Sequence, residues 1–499
     1  MTPLPHHPAG ISLRELLADI RGTGVPDVRA TSCTSDWRQV RRGDVFVALT
    51  TADEDGHDNA AEAAQRGAAA VICERPLPVF DVPQCVVADS RAVYGRLCQA
   101  LVGNPSRHMK VIGVTGSHGK STVARLLTAI FRESGSSVGT LDSFGYWDGF
   151  EDRPPHNGPL SPPQLAMSLA NMAAAGASHA VVEVSSRELS QQLLAGVSLD
   201  GVCITQVGRR HLQWHGSLEN YRQAEKRVFE YLHPDGIAIV NADDPVSVCM
   251  LCDLNHPALT FALRQPAEIT ADVVEQHANE QTFVLTAGDE SVGVRTAIIG
   301  DHHVANCLAA AATALAYGVE LTAVARGLEA VELLPGRMER VVCGQDFAVL
   351  VDAADSPDAL RASLRAARQV SSGRVLCVFG THADQHSAEW PAMGRVVGAM
   401  ADRAMVTTNG MDEDACRPLI PLRSGLADHR KARVIIDRQA AIATALAEAR
   451  EGDTVVIAGM GDRTYAMSAS DGTSINDSET VRRLLGGGLK PVSQQRMAA

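Results

Sequence analysis

Residues Gly113 to Leu127 read GVTGSHGKSTVARLL. Gly116, Ser117, His118 and Gly119 precede a lysine and two hydroxyls, Lys120, Ser121 and Thr122, and a helix-forming run follows. Glycines let successive backbone N–H groups face an anion, and the dipole at a helix N-terminus favours negative charge. Lys120 would bring its charge to terminal phosphates, and Ser121 or Thr122 would reach Mg2+. The full phosphate-loop spelling needs a glycine where this chain has Val114, so the motif present is the shorter GxxGK[ST]. An ordinary glycine-rich turn is the bland alternative. Set between a strand and a helix, the pattern points to phosphate.

Other residues carry weaker signals. Glu183 closes the apolar run AVVEVSS, at the carboxyl end of a strand, where open parallel sheets bind ligands. A carboxylate there can hold Mg2+ on phosphates; the bland reading is a capping or ion-paired glutamate. His211 and His215 stand one helical turn apart in RRHLQWHG, without the glutamate of an H-E-x-x-H pair. One of the two is read as a metal ligand and the other as structural. Cys249 and Cys252 make one CxxC with no second pair nearby, which reads as buried helix thiols rather than a zinc or redox site.

The elements that position these residues show in the apolar periodicity. The chain is α/β throughout, in three blocks. Residues 1–106 form a small α/β domain, with strands in GDVFVAL and GAAAVICE and a polar break at Asn104-Pro105-Ser106. Residues 107–332 alternate apolar strands (from Met109, His179, Gly201 and Gly236) with helical stretches, which predicts a central phosphate-loop domain on a parallel sheet covered on both faces. An alanine-rich helix runs from His303 to Gly318. Residues 333–499 repeat the alternation as a Rossmann-like α/β domain and end in KPVSQQRMAA, which reads as a disordered tail.

Composition narrows the function. A 45% hydrophobic fraction suffices for several cores, and the net charge of −13 comes without a long Lys/Arg run, so no nucleic-acid partner is expected. No apolar stretch is long enough to span a membrane, and the first residues lack a signal-peptide pattern. Eleven scattered cysteines read as reduced thiols. A cytoplasmic, monomeric protein is expected.

With these residues in view, the chain resembles the Mur ligase family, and within it the branch that adds the third amino acid of the peptidoglycan stem. DWRQVRRGDVFVAL and DGHD in the first block, TGSHGKST, EVSS, HLQWHG and NADD in the second, and LPGRMERV, VDAADSPDAL, MGRVV and IAGMGDRTY in the third stand in the family's order. The resemblance implies three domains, for a UDP-sugar, for ATP and for an amino acid. It implies that the γ-phosphoryl group goes to a substrate carboxylate and that an amine then attacks the acyl phosphate. ATP and Mg2+ are the implied cofactors, and a UDP-muramoyl peptide and an amino acid the substrates. Lys120 would meet the phosphates, Ser121, Glu183 and His211 would serve Mg2+, Asp352 the ribose, Arg337 the phosphates and Asn306 the adenine side. Asp36, Arg38, Ser161 and Ser185 would serve the UDP-peptide.

The departures from the family pattern fall at functional positions. Trp37 replaces a small hydroxyl, Arg210 and Gln213 replace acids, Arg187 replaces a histidine, and Ala353 and Asp355 replace a tyrosine and a histidine. The acceptor stretch reads Asn409-Gly410-Met411-Asp412 and lacks its arginine, while Met460, Asp462 and Arg463 replace a lysine, a histidine and a glutamate. A catalytically impaired paralogue that binds nucleotide is the alternative these changes raise. Last, the family's carbamylated lysine falls on Glu225, not Lys226, in YRQAEKRVFEYL. Helical spacing puts Tyr221, Glu225, Val228 and Leu232 on one face. Glu225 is read either as a permanent stand-in for the carbamate or as a partly buried, ion-paired residue, possibly paired with Arg222. Its side chain is about three bonds shorter, a shortfall of roughly 3–4 Å that a metal-bound water would bridge.

Overall fold

Residues buried on alternate faces build the first sheet. Val45 and Val47 face one core with Ala70, Ile72 and Cys85, whereas Phe46, Val71 and Cys73 face the other. Successive strand side chains point to opposite faces, so a sheet covered on both sides needs apolar residues in both registers. The sheet is parallel, in the order Cys33–Thr34, Val45–Val47, Ala70–Cys73, Gln84–Val86. The helix Ser90–Leu101, capped by the Asp89 carboxylate, covers one face. The computed structural model describes residues 7, 9–18, 27–51, 53–155, 160–208, 212–252, 254–381, 387–409, 416–426, 429–466 and 474–486.

By its contacts the chain divides into two compact units: residues 1–116, 123–207 and 222–259, and residues 117–122, 208–221 and 260–499. The first unit holds the sheet just described and a second one. There the parallel strands run Val138–Asp142, His179–Glu183, Lys110–Thr115, Leu199–Ile204 and Leu232–Asn241, and an antiparallel ribbon, Gly145–Trp147 and Asp152–Arg153, borders Val138–Asp142. The earliest strand in sequence lies inside, with later strands added on both sides. Their carboxyl ends coincide: Glu183 pairs with Val114, Val182 with Leu141, and Ile204 with Thr115.

The second unit contains an antiparallel meander, Ile269–Gln276, Gln281–Ala287 and Glu290–Thr296, followed by the helices Asp301–Ala316 and Leu321–Glu329. Its larger sheet runs Glu339–Arg340, Ala348–Asp352, Thr454–Ala458, Val375–Phe379, Arg403–Val406, Ala432–Val434, and all pairs after the first are parallel. Val349, Val351, Leu376, Val378, Val455 and Ile457 form its core with Ala441, Ile442 and Ala445.

Three expectations need correction. The meander strands were absent from the sequence reading, because one of their faces meets solvent and their buried residues alternate instead of forming a continuous apolar run. Cys249 and Cys252 are exposed, since the helix Pro245–Met250 ends before the second of them. Leu232 does not continue the helix of Glu225: the α-helix Leu218–Lys226 tightens to a 3-10 turn at Arg227–Tyr231, and Leu232 begins a strand. Tyr221, Glu225, Val228 and Leu232 are nonetheless all buried. The terminal KPVSQQRMAA lies outside the described residues. Among the described residues no helix is long and apolar enough to cross a membrane.

Candidate functional site

The glycine loop joins the strand Lys110–Thr115 to the helix Lys120–Glu133. Gly116 and Gly119 have φ of 129° and 85°, backbone that side chains rarely adopt. Space is closed as well: a Cβ on Gly116 would meet Thr205 Oγ1, and one on Gly119 would meet Asn306 Oδ1. Asn306 therefore lies against the loop itself. Ser117, Ser121 and Thr122 are buried, and His118 and Lys120 are half-buried. Ser117 Oγ is hydrogen-bonded to the Tyr221 hydroxyl and accepts the Gly208 N–H at 2.7 Å. His118 Nε2 lies 3.5 Å from Ser356 Oγ at the start of the helix Pro357–Val370.

Within the first unit, carboxylates gather at the strand ends. Glu183 Oε2 accepts the Ser143 N–H at 2.9 Å. On the neighbouring strand, Asp142 is fully buried and ion-paired with Arg125 of the loop's helix; Nη2 donates to Oδ1 at 2.9 Å and Nε lies 2.6 Å from Oδ2. Burial pushes the Asp142 pKa up to about 6 and Glu183 adds to it, although Arg125 pulls the other way. The sequence reading missed this pair. Its one local signal is that Asp142, like Glu183, ends an apolar strand. Glu225, 1% exposed, reaches the end of the loop's strand, where Thr115 Oγ1 lies 2.6 Å from its Oε2 and 2.8 Å from the Val184 carbonyl oxygen. One hydroxyl proton thus faces two acceptors. Ser185 caps the helix Ser186–Ser190 and donates to Glu188 Oε2 at 2.7 Å.

In the second unit, Asp352 Oδ2 accepts the Met338 N–H at 2.8 Å, and its Oδ1 accepts from Ala354 N–H at 3.0 Å and Ser363 Oγ at 2.8 Å. These bonds tie the strand end to the LPGRM loop, in which Arg337 is half-buried and Gly336 packs on Gly461 and Asp462. Asp355 is buried, with Arg463 Nη2 at 4.0 Å. Asn409 is buried too, and its Oδ1 accepts from Arg438 Nη1 at 2.8 Å. Arg438 also holds Asp477 through two bonds, of 2.8 and 2.7 Å.

The remaining expected residues occupy local structure. Asp36 Oδ1 accepts the Arg38 N–H at 3.0 Å, and the Arg38 guanidinium lies over Trp37, 5.0 Å from its ring centroid. Trp37 packs against the Phe46 core cluster. Ser161 precedes the helix Pro162–Ala174 and donates its hydroxyl to Gln164 Oε1 at 2.7 Å. His215 is half-buried against Tyr221, its pKa lowered by burial. His211, Arg210 and Gly410 to Asp412 lie outside the described residues.

Glu183 offers a hard carboxylate oxygen in the first unit and Ser121 a hydroxyl in the second, donor types that suit Mg2+ more than a transition metal, and among the described residues no three His, Cys, Asp or Glu side chains gather into a cage. Mg2+ is commonly bound by one or two carboxylates with phosphates and water supplying the rest.

Comparison with known proteins places the chain among its relatives. Residues 114–314 match the model of the Mur ligase middle domain, and residues 336–461 that of the Mur ligase glutamate ligase domain. The UDP-N-acetylmuramoyl-L-alanyl-D-glutamate–2,6-diaminopimelate ligase of Geobacillus kaustophilus is 35% identical over 92% of this chain and 95% of its own. That of Gloeobacter violaceus is 33% identical over 95% and 98%. A solved structure of a ligase of the same name superposes with a TM-score of 0.69 at 27% identity, covering 96% of this chain and 99% of the other. The MurF ligase of Thermotoga maritima, solved with ADP, shares the fold, with a TM-score of 0.61 at 20% identity over 86% and 94% of the two chains.

Proposed function

The chain belongs to the Mur ligase family, and on that premise we propose that it is an ATP-dependent ligase that adds an amino acid to the carboxylate of a UDP-N-acetylmuramoyl peptide in the cytoplasm. The observation that carries this reading is the glycine loop, whose two left-handed glycines are closed to any side chain. Residues 1–106 bind the UDP-sugar, 107–332 bind ATP and 333–499 bind the amino acid. A carboxylate has no good leaving group. Its oxygen attacks the γ-phosphorus, ADP departs, and the amine then attacks the acyl carbon and expels phosphate. Phosphoryl transfer needs positioning and charge neutralisation more than covalent help. Backbone N–H groups of the loop and Lys120 meet the phosphates. Ser121, Glu183 and His211 are the residues to hold Mg2+, which supplies charge neutralisation when bound. Asn306 buttresses the loop, and Arg337 and Asp352 serve the nucleotide's phosphate and ribose. Asp36, Arg38, Ser161 and Ser185 serve the UDP-peptide. The enzyme acts as a monomer.

Phosphate release from ATP should require both a UDP-muramoyl peptide and an amino acid, and Lys120→Ala should abolish it. Release that needs neither partner, or that survives Lys120→Ala, would remove this reading. A second reading, a nucleotide-binding paralogue without turnover, is favoured by one observation: Arg463 stands beside buried Asp355 where the family would offer a glutamate to the incoming amine. ATP binding without phosphate release under any substrate pair would decide for it.

A further inference from the structure

Glu183 does not stand alone at its strand end. Arg125 lies five residues beyond Lys120 on the same helix, about one and a half turns on. It pairs with Asp142 at the end of Val138–Asp142. Asp142 Oδ1 also accepts the Phe144 N–H at 2.8 Å and the Gly145 N–H at 3.2 Å, which folds residues 142–145 into a side-chain-capped turn. The intervening Ser143 N–H points instead at Glu183 Oε2, 2.9 Å away. The ring of Phe144 in the same turn lies under the Arg125 guanidinium, 5.6 Å from its centroid. The link therefore runs from the helix that opens with Lys120, through one ion pair and one turn, to the carboxylate at the sheet edge.

Burying a carboxylate is costly unless it is paired and hydrogen-bonded. Asp142 is 0% exposed, and three donors from two elements surround it. A surface turn needs no such arrangement, because an uncharged Asn or Ser would cap it at lower desolvation cost. What the arrangement adds is a fixed direction for the Ser143 N–H. A metal-binding carboxylate held by a fixed donor keeps its orientation, and such supporting partners carry much of a site's affinity.

We propose that Asp142, held by Arg125, is a positioning residue that aims the Ser143 N–H at Glu183 and so sets that carboxylate for the nucleotide's divalent cation. The proposal rests on the ligase reading above, in which Glu183 serves Mg2+.

The test uses the full chain with Mn2+ as the probe cation, saturating ADP, and the electron paramagnetic resonance signal of free Mn2+ as the readout. Wild type should take up Mn2+ with ADP, and Glu183→Gln should lose it. Asp142→Ala should weaken Mn2+ by roughly 10–100-fold, the range for outer-shell partners, with metal-free ADP affinity unchanged. Asp142→Asn keeps an oxygen that accepts from Phe144 and Gly145 but turns an NH2 toward Arg125 Nε, and should lose less Mn2+ affinity than the alanine variant. If alanine prevents folding, Asp142→Ser, whose hydroxyl caps the turn more weakly, should fall between wild type and the loss seen in Glu183→Gln. Wild-type Mn2+ affinity in Asp142→Ala, or in Asp142→Ser where that is the variant that folds, overturns the role of Asp142. Asp142→Asn weaker in Mn2+ than Asp142→Ala overturns it too, since the oxygen that caps the turn would then contribute nothing. A wild type that takes up no Mn2+ with ADP overturns the ligase reading itself, a different result from either.

Discussion

Glu225 brings a carboxylate into a place with almost no water. Its Oε2 faces the Thr115 hydroxyl one residue before Gly116, so the side chain points toward the strand that carries the loop. A stand-in for a carbamate has to present its oxygens toward bound Mg2+, which takes carboxylate oxygens directly or through water. A glutamine at this position can donate its amide N–H to Thr115 Oγ1, freeing the threonine proton for the Val184 carbonyl, so the fold should tolerate it while the charge is lost. Glu225→Gln is therefore expected to lower Mg2+-dependent turnover by roughly 10-fold or more, with thermal stability near wild type and with no dependence of the wild type on dissolved CO2. Wild-type turnover in the glutamine variant would end the carbamate reading. Arg463 supports a second residue-level expectation. It is half-exposed beside Asp355 and carries positive charge where the family offers an acid to an amine. Like charges across a recognition site oppose binding, so meso-diaminopimelate should not be the preferred acceptor. A screen of amino acids by phosphate release, at equal concentration, checks this, and marked selectivity for meso-diaminopimelate would contradict it.

At the scale of elements, the loop works only because two glycines occupy backbone that other residues avoid, in space that other residues would fill. Gly119→Ala combines a positive φ with a clash against Asn306. A tenfold loss of ATP affinity, about 1.4 kcal/mol, is the least expected, read by calorimetric titration. Gly288 separates the two causes. It has φ of 59° in the hairpin between Gln281–Ala287 and Glu290–Thr296, with open space around it. Gly288→Ala should cost about 1–2 kcal/mol of stability and leave ATP binding alone. If both variants bind ATP like wild type, the approach of Asn306 has no bearing on the loop. The same elements show what can be read from sequence. Strands such as Lys110–Thr115 and Val375–Phe379 were legible because burial on both faces writes a continuous apolar run. The meander was not, because Phe283 and Leu285 are buried while Thr282, Val284 and Thr286 are half-exposed, and Ile269–Gln276 is exposed from Asp272 to Glu275, Val273 and Val274 included. The loop was legible from glycine and lysine spacing alone. The Arg125–Asp142–Glu183 link was not, since it depends on which strand lies beside which and on a helix face meeting a turn. Neither is encoded at short range.

Across the whole molecule, carboxylates divide into two groups whose pH effects oppose one another. Arg75, hydrogen-bonding to Asp55 in the first unit, holds that carboxyl well below the usual range. In the second unit burial alone would raise Asp453, but the Arg374 side chain at 2.6 Å and the N–H groups of Arg374 and Arg450 leave it lowered. Burial raises Asp142 to about 6 and also raises Glu188. A lowered native pKa means that the unfolded chain binds protons first as pH falls. The stabilisation from Asp55 and Asp453 is complete above the unfolded value near 4 and is lost as pH drops through it toward their native values. Raised groups act the other way: the native chain keeps its proton longer, so Asp142 removes stability as pH climbs from about 4 through 6, and Glu188 removes it as pH climbs above its unfolded value. Because these opposing contributions overlap, the pH profile of the wild type alone cannot assign either group, whereas a difference between two proteins can. Asp453→Asn keeps one oxygen, which accepts from Arg374 Nη2 and Arg450 N–H, but loses the charge and turns an NH2 toward the Arg374 N–H. Its unfolding midpoint should lie below that of wild type at pH 7, and the gap should narrow steadily below pH 4 as the wild-type carboxylate becomes protonated. Thermal unfolding of both proteins at pH 7, 5, 4 and 3, followed by circular dichroism, measures that gap. A gap that stays constant down to pH 3 would mean that the Arg374–Asp453 pair stabilises through shape alone and not through charge.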